Sequence, residues 1–135
     1  YSIFDRTVET NGLKETAAKL HKGIITFSPL AQGLLTNRYL DGIPADSRVH
    51  TDGRFLKEKD ITPEKIAKIR ALNEIAAARG QTLAEMALAW LLSHEEITTV
   101  LIGASKTQQI LDNIKAVQNM KFTTEELAEI DRISK

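Results

Sequence analysis

The residues whose types and spacing could do chemistry fall in two separated stretches. In the first, Leu101-Ile102-Gly103-Ala104-Ser105-Lys106, a buried-strand pattern runs into a small-residue turn, and Ser105 opens a helix. A helix start carries unpaired N–H groups and the positive end of the helix dipole, which together favour an anion. Ser105 adds a hydroxyl donor and Lys106 a charge. Gln109, Asp112 and Asn113 follow Ser105 by four, seven and eight residues and therefore share its face. A hydroxyl and an amide near a phosphate, with a carboxylate and an amide further along for a base edge, would suit a nucleotide. Ordinary capping explains the same residues: Ser105 with Gln108 is itself a capping box, and a polar helix face is commonly solvated.

The second stretch is Phe27-Ser28-Pro29-Leu30-Ala31-Gln32-Gly33, with Arg38 and Arg48 further along. An aromatic ring at a strand end can lie against a planar ligand, and Gly33 would let backbone approach a ligand closely. Arg38 and Arg48 carry forked donors suited to phosphate. Phe27 as a core residue and the arginines as solvated loop charges are the plain alternatives.

The elements that must position these residues are legible in outline. Leu13, Ala17 and Leu20 recur at helical spacing between Thr7 and Lys22, with Gly23 as the stop. Ile24 to Phe27 reads as a buried strand. Residues 28–61 form a long, weakly periodic loop, and a connection of that length within a domain is commonly functional. Thr62-Pro63 starts a helix whose stripe is Ile66, Ile69, Leu72 and Ala76, and Gly80 ends it. Thr82 and Glu85 make a capping box ahead of Leu83, Met86, Ala87, Trp90 and Leu91. Thr98 to Ile102 is a second strand, and Ile110, Leu111, Ile114 and Val117 mark the next helix. Thr123 and Glu126 cap the last, with Phe122 and Leu127 at the positions of a hydrophobic staple.

Strands separated by helices pair in parallel through right-handed crossovers. Two such strands cannot close a barrel or cover both sheet edges, so the pattern is a piece of an α/β fold, one partial domain over 1–135. The chain begins at Tyr1 without an initiator methionine, as a segment of a longer protein or a trimmed mature one does.

Composition narrows the classes. Eighteen basic residues balance eighteen acidic ones, which gives no field pointing to nucleic acid or membrane. Without cysteine there is no disulfide scaffold and no thiol nucleophile. No apolar run reaches a membrane span, and a cytoplasmic location is expected.

Taken together, Phe27-Ser-Pro-Leu-Ala-Gln-Gly-Leu-Leu35 and Leu101-Ile-Gly-Ala-Ser105 with Gln109, Asp112 and Asn113 resemble the two cofactor segments that end an aldo-keto reductase barrel. Tyr1-Ser-Ile-Phe-Asp-Arg6 is similar to the run after the sixth strand, and Asp41-Gly-Ile-Pro-Ala-Asp-Ser-Arg48 to the cofactor-covering loop. The branch is that of the potassium-channel β subunits and the bacterial glyceraldehyde-phosphate reductases. The resemblance implies the C-terminal portion of a (β/α)8 TIM barrel, incomplete on its own, running from the end of strand six through strand eight and the C-terminal helices. It implies NADP(H) as cofactor and a small carbonyl substrate in the full-length protein. Phe27 would then stack on the nicotinamide and Ser28, Pro29, Leu30, Ala31 and Gln32 would line the pyrophosphate, with Gly33 a further cofactor-binding position. Gly103, Ser105, Gln109, Asp112 and Asn113 would hold the adenosine end, with Arg38 and Arg48 covering the 2′-phosphate. The family position at Phe27 is often Tyr or Trp, that at Arg38 often Lys and that at Asp112 often Glu.

The family reduces aldehydes or ketones by hydride transfer, with a tyrosine acid assisted by lysine, aspartate and histidine from the first half of the barrel. Tyr1, Tyr39, His21, His50 and His94 match none of those motifs, and no spacing supports a metal. No catalytic residue is therefore assigned. Two other readings follow from the resemblance: a non-catalytic NADP-binding regulatory module of the channel β-subunit type, and an inactive half-barrel that self-associates to cover its edges.

Overall fold

A computed structural model of the chain describes residues 1–45, 47 and 56–135. In order these form α1 (Thr7–Thr10), α2 (Leu13–Lys19), β1 (Ile24–Thr26), α3 (Pro63–Ala78), α4 (Leu83–Leu92), β2 (Ile97–Val100), α5 (Thr107–Asn113) and α6 (Thr124–Ser134). Short 3-10 turns at Ala31–Gly33, Asn37–Tyr39 and Glu58–Asp60 punctuate the long loop, and another, Ile114–Gln118, continues α5.

β1 and β2 pair in parallel, with Ile24 opposite Ile97, Ile25 opposite Thr99 and Thr26 opposite Val100. The register slips once, between Ile24 and Ile25, so Thr98 is the extra residue of a bulge. Gly23 serves this bulge. A Cβ at Gly23 would lie 2.4 Å from Thr98 Oγ1, so a side chain there would collide with β2. The helix stop expected at Gly23 comes earlier. His21 takes a left-handed φ of 53°, while His21 N–H donates to Ala18 O and Lys22 N–H to Ala17 O. That is a Schellman ending with histidine where glycine is usual.

The single helix expected over Thr7–Lys22 is two helices, because Gly12 sits at φ 79° between them and breaks the hydrogen-bond ladder. Of its expected stripe only Ala17 is buried, and Leu13 and Leu20 are exposed. The capping boxes at Thr82–Glu85 and Thr123–Glu126 form as the sequence indicates. The α3 stripe also holds: Ile69, Leu72 and Ala76 are fully buried, Ile66 is half-buried, and Gly80 at φ 68° ends the run.

α4 is buried more completely than its one-sided pattern suggests. Leu88, Ala89 and Glu85 go inside along with Leu83, Met86, Ala87, Trp90 and Leu91. The reason is its position, against α3, β2 and the 3-10 turn that follows α5. The C-terminal helix is fastened by Arg79, which donates to the carbonyls of Asn119 and Lys121 and lies 3.7 Å over the Phe122 ring. The staple is partial, with Phe122 half-buried and Leu127 exposed.

The stripe expected to bury the helix after β2 is outside. Ile110, Leu111, Ile114 and Val117 are all exposed, as are Ile25 of β1 and Leu101 just after β2. Among the described residues the sheet has two strands, and no third strand is set against those side chains.

At the end of α4, burial lowers the pKa of His94 from its ordinary 6.5. Its Nδ1 lies 2.8 Å from Trp90 O, an atom that can only accept, so this nitrogen carries the proton of the neutral ring. Its Nε2 lies 3.2 Å from the Tyr1 hydroxyl, which donates to Glu9; Arg6 and Lys14 also face the ring. Burial likewise raises the Tyr1 phenol, strongly. A histidine held neutral by the fold stabilises it above pH 6.5, and that contribution is lost as pH falls below 6.5 towards the folded-state pKa. The expected result is a thermal midpoint that drops between pH 7 and pH 5, with a flatter profile in His94→Gln. Thermal melts across that range check it; parallel profiles for the two proteins would count against it.

Candidate functional site

Parallel pairing decides what the site can be. Thr26 ends β1 and Val100 ends β2 directly opposite, and Leu101 N–H donates to Thr26 O at 2.8 Å. The two stretches singled out above therefore leave the sheet side by side, at the same end. This is the end at which ligands sit in parallel α/β sheets and barrels.

Phe27 is not a core residue. It is 70% exposed, presenting its ring at the open end of β1. Pro29 is buried beneath it, and Leu30 and Ala31 pack towards the core, so the turn offers its backbone more than those side chains. Backbone conformation is the property that sequence reasoning missed. Ser28, Ala31 and Gln32 lie at φ 53°, 48° and 61°, and Gly33 at 95°. Left-handed conformations cost roughly 1–2 kcal/mol for residues bearing a Cβ. Ser28 is doubly unusual, since it precedes a proline. Gln32 Nε2 donates to Ser28 Oγ at 3.2 Å across the turn. Gly33 is required for its φ; a Cβ there would meet only the Tyr39 ring, at 3.7 Å. No sequence signal except Gly33 announces this turn, because Ala and Ser do not favour the left-handed region.

The second stretch differs from expectation in its capping. The helix opens at Thr107 instead of Ser105, and Gln109, not Gln108, supplies the cap. Gln109 Oε1 accepts from Ser105 N–H at 2.8 Å, from Lys106 N–H at 3.2 Å and from Ser105 Oγ at 3.3 Å. One carboxamide thus gathers the donors that spacing had reserved for an anion. Gly103 and Ser105 are exposed, and Gln109 and Asp112 are half-buried. Asp112 accepts from Lys115 at 2.8 Å and from Gln108 at 3.0 Å, and the Lys115 bond lowers its pKa, which keeps the carboxylate charged. Asn113 is 9% exposed.

Arg38 lies exposed on the 3-10 turn Asn37–Tyr39, its N–H held by Thr36 Oγ1 at 3.1 Å. Thr36 Oγ1 in turn donates to Gly33 O at 2.7 Å, tying this turn to the left-handed one. Arg48 lies outside the described residues, as do His50 and Arg54. Among the described residues no cluster of His, Asp or Glu could hold a metal ion, and no helix is long and apolar enough to cross a membrane.

A parallel strand pair whose following loops converge at one end, with crossover helices behind it, belongs to the barrel and open-sheet α/β enzymes. The Aldo/keto reductase family pattern matches residues 1–135, and the chain belongs to that family. It is 48% identical over 135 residues to L-glyceraldehyde 3-phosphate reductase of Escherichia coli O157:H7 and 47% to that of strain K12. It is also 41% identical over 115 residues to a putative voltage-gated potassium channel subunit beta of Schizosaccharomyces pombe. A crystal structure of a thermostable aldo-keto reductase with the inhibitor epalrestat superposes with a TM-score of 0.67 at 26% identity, covering 98% of this chain. The chain spans 39% of the length of the two reductases, 33% of the channel-subunit relative and 37% of the crystallised enzyme. The architecture is accordingly an incomplete TIM barrel.

The strained turn yields a direct test. Ala31→Gly removes the Cβ at φ 48°, and the relief outweighs the extra freedom of glycine in the unfolded chain. Urea denaturation should show a stability gain of about 0.5–1 kcal/mol. A loss would mean that Ala31 packing outweighs its backbone strain.

Proposed function

We propose that this chain is the NADP(H)-binding portion of an aldo-keto reductase that reduces small aldehydes or ketones, with the catalytic tyrosine, lysine, aspartate and histidine supplied by sequence outside these residues. The observation that carries the reading is the convergence of the Phe27–Gly33 and Gly103–Asn113 stretches at the end of one parallel strand pair. The residues fit a dinucleotide chemically. An exposed aromatic face suits a flat ring, and a left-handed turn turns backbone groups towards a ligand.

When bound, the nicotinamide supplies the hydride; the protein's work is to hold and orient it. Phe27 gives the ring a surface, and Ser28 to Gly33 line the pyrophosphate. Ser105 and its neighbouring N–H groups, now held by Gln109, would take the adenosine-side phosphate. Asp112 and Asn113 meet the adenine, and Arg38, with Arg48, covers the 2′-phosphate.

Titrating the chain with NADPH and NADH, followed by nucleotide fluorescence, tests this. NADPH should bind about tenfold tighter than NADH, a difference of about 1.4 kcal/mol, and Arg38→Gln should shrink the gap. Equal affinities, or no binding of either, would overturn the reading. The likeness to a putative channel subunit favours a second reading, a regulatory module that binds NADP(H) without turnover. The full-length protein then binds NADPH yet leaves it unoxidised in the presence of small aldehydes.

A further inference from the structure

The segment that carries Arg38 is seated unusually. Tyr39 inserts its ring into the core and is 1% exposed, yet its hydroxyl is buried without a hydrogen-bond partner. That hydroxyl has lost water and gained nothing, which offsets part of what burying the ring contributes. Beyond Tyr39 the segment stands away from α3. A groove of about 770 Å3 separates Leu40 to Ile43 from Ile61, Ile66, Ala67 and Ala71. None of the described candidate residues lines it. One side chain crosses the gap: Arg70 of α3 sends Nη2 to the carbonyl oxygen of Leu40, at 2.9 Å and thirty residues away in sequence. A guanidinium on a peptide carbonyl is a charge-assisted bond, stronger than the neutral turn bonds of the segment. Those are long, with Leu40 N–H to Asn37 O at 3.3 Å and Gly42 N–H to Tyr39 O at 3.4 Å.

We propose that Arg70 is a positioning residue: by holding the Leu40 carbonyl across the groove it fixes the 36–43 segment, and so sets Arg38 over the 2′-phosphate of bound NADP(H). The inference rests on the cofactor reading above for its second half only. The tether itself is a property of the chain without ligand. Thr36 links the segment to the left-handed turn at one end, through Gly33 O and Arg38 N–H, and Arg70 holds the other. With both ends fixed, Arg38 has little freedom to swing away from a ligand. Without Arg70, the groove leaves the segment room to shift, and an anion bound by Arg38 would leave sooner. Ligands lacking the 2′-phosphate would not register the change.

Two measurements on Arg70→Ala and Arg70→Lys test this. In ligand-free chain, amide hydrogen exchange in peptides covering residues 36–43 should quicken about tenfold in Arg70→Ala, with peptides from α4 unchanged. Lysine keeps one charged donor on a long stem and should restore most of the protection. In stopped-flow displacement, NADPH should leave Arg70→Ala about tenfold faster while NADH leaves at the wild-type rate. Unchanged exchange in residues 36–43, or a change shared equally by α4, overturns the tether. Altered exchange with unaltered NADPH release, or equal acceleration for NADH, overturns the positioning role. A wild-type chain that binds no NADPH overturns the cofactor reading and the positioning role with it, and the exchange result still decides the tether.

Discussion

The parallel ladder between β1 and β2 is the constraint from which the rest of the molecule follows. Two strands running the same way cannot be joined by a tight turn; the chain must travel back along the sheet before the second strand begins. Here α3 and α4 make that return, and α4, caught between α3, β2 and the turn after α5, is buried on nearly every side. Burial of Trp90, Met86, Leu83 and Leu91 is what holds the crossover to the sheet, and the ladder in turn fixes which loops meet. The bond from Leu101 N–H to Thr26 O extends the pairing one residue past β2, so the turns beginning at Phe27 and Gly103 start at one level. Convergence is a product of backbone direction more than of any attraction between the loops.

The same ladder explains the apolar surface. Ile25 and Leu101, beside the sheet, and Ile110, Leu111, Ile114 and Val117, along α5 and its continuation, lie in water. Parallel sheets are covered on both faces when complete. The chain matches under two-fifths of the length of its relatives, and these exposed side chains are those that a closed barrel has reason to make apolar.

At the end of the sheet where the two turns meet, several costs are visible in the chain. Ser28, Ala31 and Gln32 hold left-handed backbones that their side chains do not favour, and the Thr26 and Tyr39 hydroxyls are buried without partners. Such costs gather where a fold is shaped for a purpose other than its own stability. Gln109 is the opposite case, since its carboxamide satisfies Ser105 and Lys106 internally.

The sequence by itself determined the features whose causes are local. The capping boxes at Thr82 and Thr123, the Thr62-Pro63 start and the α3 stripe rest on neighbours within four residues, where period and propensity act directly, whereas the two strands are shorter and more exposed than the buried runs read there. Resemblance across four separated segments carried the family, and parallel order followed from helices between strands. Only the tertiary structure decided the remainder, because each remaining case involves partners far apart in sequence or conformations to which composition is blind. Gly23 reads as a helix stop until Thr98 is set against it, 75 positions on by residue number. Ile110 and Leu111 read as core until the sheet proves to have two strands. Ser105 reads as a helix start until Gln109 folds back one turn further on, and the bond from Arg70 to the Leu40 carbonyl has no signature in the sequence. A hydrogen bond between distant residues leaves no period in the chain, and for that reason the way these segments are held was not legible in it.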